Sequence, residues 1–163
     1  MLTAVLLGVC LALPNHAIIV DPFRALECAR CAGNRGIEYA VPVASAVRSG
    51  LSGRVVLGGE VAGVRYVVVR AHDNPSVRVT YGGMGETTVS RGDPVRRGDV
   101  LGLASESGNA ATTGAATLNV GVRVGGTHVD PQTMAGGTAT TSARPRFRVT
   151  LGHGPTGSCG RGP

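Results

Sequence analysis

An all-β domain is what this sequence predicts, and three observations carry that expectation. Apolar residues alternate with polar or small ones over Thr117 to Val124, where Leu118, Val120, Val122 and Val124 interleave with Thr117, Asn119, Gly121 and Arg123. The chain holds 26 glycines but only 3 % aromatic residues, so its core must be built from Val, Leu, Ile and Ala between frequent turns. No long window repeats with helical periodicity. At 163 residues the chain is long enough for one domain with a single core.

The charge pattern narrows the function classes. Net charge is +6, and all 16 basic residues are arginine. They are scattered along the chain with little aromatic surface for stacking bases, which argues against a nucleic-acid partner. A mild attraction to an anionic envelope surface is the reading that remains.

Taken in order, residues 1–17 look like a leader. Leu2 to Leu13 is apolar but too short to span a bilayer, and it lacks the basic start of a standard secretory signal. No transmembrane span is expected. Val9 is a poor residue before a lipidated cysteine, so lipidation of Cys10 is not expected. Residues 18–33 form an N-terminal arm with Cys28 and Cys31 in CxxC spacing. A metal site would need a second ligand pair, and none stands at finger spacing. In an exported chain the expected use is a small Cys28–Cys31 disulfide.

Organised sequence begins at Asn34, and residues 34–133 are the expected domain. Val55-Val56-Leu57 reads as a strand ending at Gly58-Gly59. Val64 to Ala71 and Ser76 to Gly82 flank the polar turn Asp73-Asn74-Pro75 and read as a hairpin. In the second of these, Val77, Val79 and Tyr81 share one face. The pattern Gly92-Asp93-x-Val95-x-x-Gly98-x-x-Leu101-Gly102 places glycines where a chain must turn sharply and re-enter a sheet, a form shared by barrel-sandwich hybrid folds. Ser105 to Ala116 is small and polar, a loop. After Thr117 to Val124, Gly125-Gly126 turns the chain into His128-Val129-Asp130-Pro131. Residues 134–163 shift to Gly, Thr, Ser, Pro and Arg and read as a mostly disordered tail, with one strand conceivable at 146–151.

From Asn34 to Pro131 the order NRGIEYA, glycine-bounded strand, VTYGGM, GDPVRRGDVLG, TLNVGVRV, VDP resembles the LytM/lysostaphin-type zinc metallopeptidases that cut peptidoglycan. The resemblance implies an antiparallel sheet with a groove over it. It also implies zinc held by an H-x-x-x-D pair and one histidine of an H-x-H strand, with further imidazoles after a tyrosine and beside the metal. Such a set leaves one position for a water whose pKa the metal lowers, and imidazoles to move its proton. Carried onto this chain, the first histidine falls on Asn34 and the aspartate on Glu38. The segment after the tyrosine reads Tyr81-Gly82-Gly83-Met84, with Gly83 in the histidine's place. The H-x-H strand reads Thr117-Leu118-Asn119. One carboxylate stands among neutral oxygen donors, which are far weaker partners for zinc than imidazole.

These residues lead to the expectation of a non-catalytic member without cofactor, in which Asn34, Glu38, Tyr81, Gly83, Thr117 and Asn119 line a vestigial groove. Its partners would be peptidoglycan or cell-wall peptides, or a wall amidase it regulates, in a secreted or envelope location. The alternative is an active zinc-dependent peptidoglycan endopeptidase with atypical ligands. A biotinyl or lipoyl carrier, which shares the hybrid barrel, is excluded because the chain contains no lysine.

Overall fold

The computed structural model describes residues 9–26, 28, 33–106 and 115–135. Within them the chain forms β1 (Ile18–Asp21), β2 (Gly36–Pro42), β3 (Ala46–Arg48), β4 (Gly53–Val61) and β5 (Val64–Ala71). There follow β6 (Val77–Thr87), β7 (Pro94–Val95), β8 (Val100–Ala104), β9 (Ala115–Val124) and β10 (Thr127–Val129). A short 3-10 helix at Pro131–Met134, capped by Asp130, is the one helical turn among the described residues.

All pairings between these strands are antiparallel. The main path through the sheet is β1-β2-β9-β6-β5-β4-β7, with β10 added to β9 and β8 bridging β6 to β3. The all-β expectation therefore holds. The alternation that predicted β9 is real: Ala116, Leu118, Val120 and Val122 are buried, and Thr117 and Asn119 are half-exposed on the other face. Core-facing valines from β5 and β6, Val67, Val69, Val77 and Val79, are fully buried against them. In a core with so few rings, close packing of branched aliphatic side chains supplies the stabilisation.

The hairpin expected around Asp73-Asn74-Pro75 is present as β5 and β6, and Asn74 Oδ1 accepts from the Ser76 N–H at 3.1 Å to close its turn. Three expectations need correction. The strand expected to end at Gly58-Gly59 continues to Val61, because both glycines keep strand geometry and the reversal falls at Ala62-Gly63, with φ of 51° and 79°. The domain also reaches further back than residue 34, since β1 pairs with β2. Finally, residues 9–17, grouped with the leader, pack into the domain here. Leu11 is 1 % exposed in the core, its N–H bonds the Met134 carbonyl at 2.9 Å, and the Ala12 N–H bonds the Gly50 carbonyl at 2.8 Å. The 146–151 segment lies outside the described residues.

Cys28 and Cys10 are both disulfide-bonded. Cys31, the expected partner of Cys28, lies outside the described residues.

Candidate functional site

In antiparallel strands, directly opposed residues project to the same face. Register therefore places the site residues without further assumption. Glu38 of β2 faces Asn119 of β9, Asn119 faces Gly82 of β6, and Gly82 faces Tyr66 of β5. These positions form one row on the open face, with neighbouring strands about 4.8 Å apart. Thr117 lies on the same face, opposite Ala40. The fold thus brings together a carboxylate, a carboxamide, a hydroxyl and a phenol.

Tyr66 is the member that the sequence did not point to. Its ring covers Gly82 so closely that a Cβ there would lie 2.5 Å from Tyr66 Cε1. A lone aromatic among the valines of VRYVVVRA was the available signal.

Three expected groove residues behave differently. Asn34 is 9 % exposed and fully engaged: Oδ1 accepts from the Gly36 N–H at 3.2 Å and Nδ2 donates to the Asp21 carbonyl at 3.3 Å. Paired backbone bonds with Arg24, at 2.9 and 3.1 Å, fix it further. Its role is to tie the N-terminal arm to β2. Gly83 has φ +89°, and a Cβ there would sit 2.1 Å from the Thr117 carbonyl oxygen. The backbone itself fills the space a side chain would need. Tyr81, expected in the groove, is a correction: it faces the core at 2 % exposure, and its hydroxyl accepts from the buried Gly50 N–H at 2.7 Å. Burial pushes its pKa up to about 12, with the hydrogen bonds to Gly50 and Ser49 pulling the other way. Tyr81 and Leu118 instead line a pocket of about 600 Å³ that also involves residues 12–17 and 45–49.

The histidines are dispersed. His72 is exposed and contacts Asp73, with Nδ1 3.1 Å from Oδ1. His16 borders the pocket under the arm. His128 on β10 has its pKa lowered, first by burial and then by Arg123 and Arg35. Among the described residues no group of three or more His, Cys, Asp or Glu side chains is placed to hold a metal ion. Nor is any helix among them long and apolar enough to cross a membrane.

The chain belongs to peptidase family M23, whose family model matches residues 32–131. Among solved structures it is similar to Csd3 of Helicobacter pylori, with TM-score 0.65, 23 % identity, and coverage of 90 % of this chain but only 36 % of Csd3. It is similar to lysostaphin in solution, with TM-score 0.63 and 17 % identity over 82 % of this chain and 58 % of that one. It is also similar to a chain in the SpoIIQ–SpoIIIAH pore-forming complex, with TM-score 0.60 and 18 % identity over 78 % and 91 % of the two chains. At these identities the likeness is one of fold. No curated protein sequence matches the chain.

Proposed function

We propose that this domain is a non-catalytic M23 module that binds cell-wall peptides or regulates a wall hydrolase without holding zinc. The observation that carries the reading is the donor set at the ligand positions. Asn34 spends both ends of its amide on the fold, and Gly83 has no room for an imidazole. The remaining donors are Glu38, Thr117 and Asn119, one carboxylate with two neutral oxygens, which do not fit a three-ligand zinc site. The same row suits another task. Glu38 accepts, Asn119 donates and accepts, and Tyr66 adds a flat ring, a combination that can hold an extended peptide by hydrogen bonds without cutting it. A similar fold sits in a pore-forming complex, which supports an assembly role for such domains. Disulfide-bonded Cys10 and Cys28 support an oxidising, exported location.

The test is zinc analysis of the purified chain after chelation, zinc loading and dialysis, alongside muropeptide binding and peptidoglycan digestion. The expected result is substoichiometric zinc, no digestion, and saturable muropeptide binding that Asn119→Ala weakens. One equivalent of zinc together with chelator-sensitive cleavage would establish the active endopeptidase instead.

A further inference from the structure

The arginines are dispersed in the sequence, but the sheet register gathers four of them into a line. Arg54 of β4 is directly opposite Arg70 of β5, and Arg70 is opposite Arg78 of β6. Arg78 is opposite Arg123 of β9, which in turn faces His128 of β10. All four arginines are exposed. Because opposed residues share a face, these five cationic or ionisable positions cross five strands in a single row. At about 4.8 Å per strand the row is roughly 19 Å long. It lies on the open face, four residues along β9 from Asn119, or about 13 Å.

Like charges directly opposed across strands destabilise a sheet, so such a row needs compensation. The protein provides little. Among the described residues the ion pairs are Arg24–Asp21, Arg65–Glu60 and His72–Asp73, and none involves the row. Arg54 donates to the Gly92 carbonyl and Arg123 to the Gly126 carbonyl, which aims the two guanidiniums without neutralising them. Arg78 and Arg123 together line a surface pocket with Ser76 and Gly126. The residues after Ala135 contain no aspartate or glutamate that could serve as a counterion.

We propose that this row binds a linear, base-free phosphodiester polymer, laid across the strands with successive phosphates on Arg54, Arg70, Arg78 and Arg123. Guanidinium forks match phosphate oxygens in geometry as well as charge. The line shape favours a strand over a planar surface, and the next open-face positions inward, Val68, Thr80 and Gly121, offer no aromatic ring for a base. The inference stands on the register alone and does not depend on the zinc reading.

The test uses the full chain and three probes over a salt series: poly(glycerol phosphate), a single-stranded oligodeoxynucleotide of equal phosphate number, and phosphatidylglycerol vesicles. The expected result is that poly(glycerol phosphate) binds tightest. The double variant Arg78→Gln/Arg123→Gln should weaken it at least about tenfold and flatten the log–log salt slope by about 1 to 2. Arg96→Gln/Arg97→Gln, which removes the same charge at the exposed turn before β8, should leave affinity within about twofold. Circular dichroism would check that both variants fold. Equal losses in the two variants would reduce the effect to net charge and overturn the proposal. So would tighter binding of the oligonucleotide, binding to vesicles alone, or no binding to the polymer at low salt.

Discussion

Gly83 shows how one residue can decide what a site is able to become. Its φ of +89° lies in the region that L side chains rarely adopt, and the Thr117 carbonyl oxygen stands 2.1 Å from where a Cβ would be. Gly92 supplies an internal comparison, with φ +99° but nothing within 4 Å of its Cβ position. Gly92→Ala should therefore cost only the conformational term, about 1–2 kcal/mol. Gly83→Ala must add displacement of the β9 backbone, a further 1–3 kcal/mol or so by analogy with overpacking. Thermal denaturation of the two variants checks this, and equal melting temperatures would mean that β6 and β9 can part at little cost. If they cannot, a histidine introduced at position 83 would damage the sheet before it could create a ligand. The obstacle to a side chain at this position lies in the backbone itself.

At the scale of elements, the segment around Leu11 closes one end of the core. Leu11 is 1 % exposed and hydrogen-bonded through its N–H to Met134, so it joins the segment before β1 to the helical turn after β10. Leu11→Ala should cost about 2–5 kcal/mol, as buried leucine truncations do. Val20→Ala on β1, where the side chain is 54 % exposed, should stay within about 0.5 kcal/mol. Denaturant midpoints of the oxidised variants measure both, and a silent Leu11→Ala would show that the segment before β1 merely rests on the domain. This segment also marks the limit of what the sequence could reveal. β9 and the β5–β6 hairpin were legible because one face is buried and polarity alternates with period two. The packing of residues 9–13 was not, because a short apolar run before a proline looks the same whether it leads the chain or plugs a core. Glu38, Thr117 and Asn119 were placed by the family resemblance, and the register sets them on one face of the sheet. Tyr66 and the arginine row were not legible, since both depend on cross-strand register, which local sequence does not encode. Tyr81 was misplaced although strand parity sets it on one face with Val77 and Val79, because the family resemblance drew the whole Tyr81-to-Met84 segment into the groove.

For the whole molecule, the absence of lysine makes alkaline stability an unusually direct readout. Above the range of the α-amino group, the titrating side chains of the described residues are tyrosines alone, arginine staying charged throughout. Tyr39 and Tyr81 are buried on the core side, and burial pushes each up to about 12, with the charge of Asp130 adding to the effect on Tyr39. Their folded pKa values thus exceed the unfolded value near 10, so between the two the native state holds the extra protons. Unfolding free energy then falls as pH rises. Stability should be level up to about pH 9 and decline from pH 10 to 12, with a limiting slope of about 1.4 kcal/mol per pH unit for each buried tyrosine. In a Tyr66→Phe background, which leaves only Tyr39 and Tyr81, tyrosinate absorbance should appear together with loss of the β-sheet signal rather than before it. Tyr81→Phe should lower stability at neutral pH by about 1–3 kcal/mol, because the buried Gly50 N–H loses its acceptor, while making the alkaline decline shallower. Ionisation of Tyr39 or Tyr81 near pH 10 in the folded Tyr66→Phe protein would mean that water reaches them. The aliphatic core would then be looser than its buried valines imply.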